Sequence, residues 1–208
     1  MNITQRIITH LKRSSQTKEK MIAKNIEAIK QASLAIVETY YKKGGVVYTF
    51  GNGGSAADAQ HIAGELLSML RTNHKFEFRF PLPAHALTTD TSTLTAVSND
   101  LGFEYIFSRQ LEALAKPEDL VIGISTSGNS KNVIRGLELT KKRGIKSITF
   151  VGGSGGEIVK RKLADIIINI PAKDVTHIQE GHVTAFHCIC DVMEEILFSD
   201  KGLEINNL

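Results

Sequence analysis

His61 and Glu65 stand four residues apart, and a helix of 3.6 residues per turn places such a pair on one face. An imidazole beside a carboxylate can exchange protons, ligate a metal, or form an ordinary surface ion pair. Asp58 lies one turn earlier on the same face. A second group of imidazoles, His177, His182 and His187, lies in THIQEGHVTAFHCICDVMEEIL, with Gln179 among them. Gln179 and His187 are eight residues apart, about 80° around a helix axis, so they share one broad face. A histidine between Phe186 and Cys188 is, taken alone, more often a core side chain with a satisfied partner. Glu194 and Glu195, at the far end, read as solvated.

Three stretches lead from strand-like residues through a Gly/Ser-rich turn into a helix-like run. They are Gly51-Asn52-Gly53-Gly54-Ser55, Ser125-Thr126-Ser127-Gly128-Asn129-Ser130 and Gly152-Gly153-Ser154-Gly155-Gly156. Backbone N–H groups at a helix start attract anions, glycine permits close approach, and hydroxyls add donors. The second turn offers four hydroxyls and no charge, which suits a phosphate held by hydrogen bonds alone. No turn ends in GK[ST] or completes G-x-G-x-x-G, so no nucleotide is expected. Ser, Thr, Gly and Asn also simply cap helices and make turns. Two such turns in equivalent positions favour the anion reading for the first and second, whereas the third is read as structural. The first turn opens the helix that carries His61 and Glu65. Glu65 therefore lies roughly 15 Å along it, a distance that a small phosphosugar and long side chains span.

Those side chains need a scaffold. Residues 2–42 read as one amphipathic helix, ended by Gly44-Gly45. Strands are predicted at Val46–Phe50, Ala84–Leu87, Leu120–Ser125, Ser147–Gly152 and Asp165–Ile170. Helices are predicted near 55–70, 91–98, 103–115, 130–143 and 155–163, with a last one over Thr176–Phe198. Runs such as VIGIS and DIIINI are apolar throughout, as in a parallel sheet covered on both faces. The alternation predicts an α/β doubly wound sandwich. Segment 71–83 is the least regular and reads as a loop that covers something or meets a neighbouring subunit.

Composition narrows the class. The 208 residues suit one domain, 1–208, with a helical extension over about 1–43. A net charge of +3 and no dense Lys/Arg run argue against nucleic acid; Lys141-Lys142-Arg143 reads as solvated charge at a helix end. No apolar stretch approaches a membrane span and no signal peptide is visible, so a cytoplasmic location is expected. Cys188 and Cys190 form no disulfide framework and read as buried, reduced thiols on different helix faces.

GNGGSAADAQHIAGEL, SND at 98–100, ISTSGNS at 124–130 and IQEGH with His187 together resemble the phosphoheptose isomerases of the sugar isomerase (SIS) superfamily, over nearly the whole chain. The resemblance implies a three-layer α-β-α sandwich on a five-stranded parallel sheet of flavodoxin-like type, with a long amino-terminal helix. It implies conversion of sedoheptulose 7-phosphate to D-glycero-D-manno-heptose 7-phosphate through an enediol(ate), the first step towards ADP- or GDP-heptose for bacterial surface glycans. Glu65 would be the base and His187 its acid/base partner. Phosphate would sit at Ser55, Ser125, Thr126, Ser127 and Ser130, and the sugar at Asn52, Gly53, Gly54, Asn99, Asp100 and Gln179. His61, Glu65, Gln179 and His187 match zinc ligands, one ion per subunit, although a metal-bound carboxylate is a weaker base. A homotetramer with sites between subunits is also implied. Two departures from the family pattern stand out. Thr176 replaces a common acidic residue, and the loop from Arg71 to Pro83 looks longer than usual.

Two other classes compete. A replication-initiator-associating SIS protein binds its partner without catalysis and lacks the carboxylate and the final histidine; both are present here. A phosphosugar-sensing regulator would normally need a DNA-binding module, for which these 208 residues leave little room. An isomerase of another phosphosugar remains an alternative, because fold and phosphate turns do not read carbon count.

Overall fold

The computed structural model describes residues 2–70 and 79–198. The irregular segment singled out above falls largely on residues 71–78, outside that description.

Helix α1 covers Ile3–Glu38, started by Asn2, whose side-chain oxygen accepts the Gln5 N–H at 2.8 Å. It then widens into a π-helical turn over Thr39–Lys43 and stops at Gly44, in the left-handed region at φ 63°. The helix expected over 2–42 is therefore regular only to Glu38. Strand β1 is Val47–Gly51 and helix α2 is Gly54–Leu67. Strand β2, Ala84–Ala86, leads into α3, Thr91–Asp100. Helix α4, Ile106–Leu114, follows a short 3₁₀ turn, and β3 is Leu120–Ile124. Helix α5 is Lys131–Arg143, β4 is Lys146–Gly152 and α6 is Gly156–Lys160. The described chain ends with β5, Ile166–Ile170, and α7, Val175–Phe198. All five expected strands are present, with boundaries moved by at most one residue.

The sheet is wholly parallel in the order β2-β1-β3-β4-β5. Alternate residues of each strand face opposite layers, as a period of two requires. Val47, Leu120, Ile122, Ile124, Ile148 and Phe150 pack with α1, α2 and α7 through Ile36, Leu66 and Phe186. Phe50, Val121 and Val151 pack with α4, α5 and α6 through Phe107, Leu137 and Ile158. This is the three-layer sandwich. Strand order reverses between β1 and β3, the place where open α/β sheets bind ligands beyond their strand ends. The first two Gly/Ser turns leave those two strands.

Candidate active site

The turn after β1 and the turn after β3 meet across the switch point. Gly53 starts α2 at φ 56° and ψ −120°, a conformation suited to glycine. The Gln179 amide lies against Gly54, where a Cβ would overlap it, so glycine admits the α7 side chain to this turn. Asn52 and Asn132 exchange paired amide hydrogen bonds of 2.8 Å, and Asn132 Oδ1 also accepts the Val133 N–H at 2.9 Å. Asn132 thereby fixes Asn52 and ties the first turn to the first turn of α5. The spacing carried no signal for it, since its partner is 80 residues away.

In the second turn, the Ser125 and Ser130 hydroxyl oxygens lie 3.0 Å apart, with Ser125 buried and Ser130 half-buried. Ser127 is exposed and its Oγ accepts the Asn129 N–H at 3.2 Å. Ser55 is buried at the start of α2. A cleft of about 230 Å³ lies beside these turns, lined by Asn52, Phe103, Glu104, Ser130, Lys131 and Asn132. Lys131 adds a cation that was not singled out in the sequence. The third turn packs behind the second. Asn129 Oδ1 accepts the Glu157 N–H at 3.0 Å, and a Cβ on Gly128 would strike the Gly155 carbonyl. These contacts give Gly152–Gly156 a packing role against the second turn.

Farther along α2, His61 Nε2 lies 3.0 Å from Glu65 Oε1. His187 of α7 brings its ring to 5.2 Å from that of His61, nearly perpendicular, with Phe186 against both. One ligand atom from each of His61, Glu65 and His187 lies within 4.8 Å of the other two. Two imidazoles and a carboxylate at that separation are a donor set suited to a transition metal, so the group fits one. Asp58 of the same helix is pushed up to about 6 by burial, with His61 pulling the other way. Its Oδ2 is buried without a hydrogen-bond partner among the described residues.

The expectations for Glu194 and Cys188 need correction, whereas Asn99 and Asp100 simply make no hydrogen bond to the two turns among the described residues. Asn99 donates to Asp100 at 2.8 Å, and both are exposed at the end of α3, a helix with no buried residue. Glu194 is not solvated: its side chain is 2% exposed and meets Arg79 at 2.9 Å, a partner 115 residues away. Cys188 is exposed, and only Cys190 is buried, because the two face opposite sides of α7. His177 and His182 are both buried, His182 beneath the end of β4 with Nε2 3.1 Å from the Val151 carbonyl oxygen. The Thr176 hydroxyl donates to Asp174 at 2.7 Å in the α7 cap, so it is committed there rather than to the cleft.

Comparison with known proteins identifies the family. A family model described as the SIS domain matches residues 9–152. A phosphoheptose isomerase of Aneurinibacillus thermoaerophilus is 44% identical over 202 residues, covering 96% of this chain and 98% of that protein. Among solved structures, a phosphoheptose isomerase from Francisella tularensis superposes with a TM-score of 0.85 at 37% identity, covering 93% of this chain and 98% of that one. One from Neisseria gonorrhoeae gives 0.84 at 36% identity, covering 93% and 99%. With its switch-point turns and its His–Glu–His group in place, the chain belongs to the SIS-domain phosphoheptose isomerase family.

Proposed function

We propose that Glu65 and His187 move the protons by which this isomerase converts sedoheptulose 7-phosphate to heptose 7-phosphate. The observation that carries the proposal is the convergence of His187 from α7 with His61 and Glu65 from α2, the helix that begins at a Gly/Ser turn, all within 4.8 Å. Ser55, Ser125, Thr126, Ser127 and Ser130 would bind the phosphate as neutral donors, with Lys131 supplying charge at the rim. Asn52, Gly53, Gly54 and Gln179 would hold the sugar hydroxyls. Glu65 takes the proton from C1 of the ketose, giving an enediol(ate), and returns a proton to C2. His187 carries the proton that must pass from O1 to O2. His61 holds one oxygen of Glu65 and leaves the other for carbon. The Glu65 side chain is 18% exposed, so the carboxylate stays open to substrate.

His61, Glu65, Gln179 and His187 would hold zinc. When bound it supplies a Lewis acid that polarises the sugar oxygens.

The proposal extends to a homotetramer with sites completed between subunits. Ile3, Ile7 and Leu11 form an exposed apolar face on α1, and Leu101 and Phe103 are more than half exposed after α3. The switch-point cleft is small for a seven-carbon phosphosugar. Asn99 and Asp100 would then serve a neighbouring site. The product is proposed to be the D-glycero-D-manno form and to enter nucleotide-activated heptose for a surface glycan. The proposed location is the cytoplasm, because a charged phosphosugar does not cross a lipid core unaided.

NMR of the protein with sedoheptulose 7-phosphate in D₂O tests the reaction. Aldose carrying deuterium at C2 is the expected product. Absence of both aldose and exchange would move the assignment to a non-catalytic SIS binding protein.

A further inference from the structure

A second group of metal-type donors lies outside the site described above, where α1 crosses the first turn of α7. His10 Nε2 is 3.3 Å from Glu180 Oε1, and His177 Nδ1 is 3.3 Å from Glu180 Oε2. The two imidazole rings stand 4.4 Å apart, and one ligand atom from each of the three residues lies within 4.8 Å of the other two. Zinc bonds of about 2.0–2.2 Å at tetrahedral angles place neighbouring donors roughly 3.3–3.6 Å apart. Each ring nitrogen stands at that separation from one Glu180 oxygen, His10 from Oε1 and His177 from Oε2, so the carboxylate would turn or bind through both oxygens to close the site.

The donor types select the ion. Two imidazoles and a carboxylate suit zinc among the available divalent ions and do not suit magnesium or calcium, which prefer oxygen alone. His177 is 6% exposed, so its ring is held in place by the surrounding packing. The His10 side chain is 48% exposed, which leaves a solvent-facing direction for a water as fourth ligand. The group also sits in a telling place. Gln179 lies between His177 and Glu180 in the chain, and its amide rests against Gly54 of the first Gly/Ser turn. An ion here would link the outer part of α1, which is largely exposed before Ser14, to the turn of α7 that presents Gln179.

We propose that His10, His177 and Glu180 form a second zinc site, separate from His61, Glu65 and His187, that staples α1 to the start of α7 and steadies Gln179. The proposal rests on donor geometry and holds whichever phosphosugar the chain isomerises.

The test uses the chelator-treated full chain dialysed against buffered free zinc, with bound metal counted per chain. The wild type is expected to hold two ions. A His61→Ala/His187→Ala variant is expected to hold one, and added zinc should raise its melting temperature. Adding His10→Ala to that background should weaken the remaining binding by about 100-fold or more, since even outer partners of zinc ligands are worth 10–100-fold. His10 is exposed on a helix, so alanine there leaves folding intact; circular dichroism checks this. Cobalt in place of zinc should give the visible absorption of a tetrahedral site in the His61→Ala/His187→Ala variant and lose it when His10→Ala is added. No zinc in the His61→Ala/His187→Ala variant, or an ion there that is indifferent to His10→Ala, would overturn the proposal and leave the three residues as a hydrogen-bonded clasp.

Discussion

Arg79 Nε stands 2.9 Å from Glu194 Oε1, and both side chains are 2% exposed. The same guanidinium donates to the Leu66 carbonyl at 2.9 Å and to the Glu65 carbonyl, while Glu194 Oε1 also accepts the Leu70 N–H at 2.9 Å. The pair thus closes the carboxyl end of α2 against α7. Those two helices carry Glu65 and His187, so this buried contact helps set the distance between the proposed base and acid.

Removing Arg79 takes a close cation away from a buried carboxylate. Arg79→Met should lower unfolding free energy by up to about 3–5 kcal/mol, the usual cost of breaking one partner of a buried ion pair. Arg79→Met with Glu194→Gln should be less destabilised than Arg79→Met alone, since glutamine keeps an acceptor for the Leu70 N–H and removes the charge. Urea denaturation of the four proteins in a double-mutant cycle reads the coupling; strictly additive losses would refute it.

Glu65→Gln keeps shape and a hydrogen bond to His61 but cannot take a proton from carbon. Turnover should fall by about 10²–10⁴-fold or more, with KM for the phosphosugar little changed. His187→Gln should behave in the same way. Steady-state kinetics with a direct sugar-phosphate binding assay checks both. Near-normal kcat in either variant would remove that residue from the proton route.

Ser130 precedes α5 in the capping position but makes no capping bond to it. Ser130→Ala should therefore leave the melting temperature nearly unchanged. If the hydroxyl meets a phosphate, KM should rise by about 10–100-fold, the worth of roughly 1.5–3 kcal/mol for a hydrogen bond to a charged group. An unchanged KM would take Ser130 out of the phosphate site.

His182 predicts an acid limb to stability. Burial lowers its folded pKa from 6.5 to about 4, opposed by the Val151 carbonyl. Below about pH 6.5 the unfolded chain takes up a proton that the folded chain refuses, so this contribution is complete above about 6.5 and is lost as pH falls toward 4. It should amount to about 3 kcal/mol between those limits. His182→Leu should flatten that part of the profile of melting temperature against pH. An equally steep acid limb in the variant would place the titration elsewhere.

The sequence by itself determined the strand–helix alternation, the parallel sheet and the turns that could hold an anion. These follow from local patterns: apolar runs of strand length, glycine where backbone must turn, hydroxyls at helix starts. His61 and Glu65 share a face through helical periodicity alone, and their 3.0 Å contact follows from it. Assigning His187 to the same group needed the resemblance to a family, since it lies 122 residues beyond Glu65. Only the tertiary structure decided that Asn132 locks Asn52, that Arg79 buries Glu194, that Cys188 faces outward, and that His10 meets His177 and Glu180. Each depends on which elements the sheet order brings side by side. A helix end rich in Glu looks the same in sequence whether water or a distant arginine receives it. Burial is a property of the packed layers, and it turned Glu194 from a solvated charge into a tie between the helices that carry Glu65 and His187.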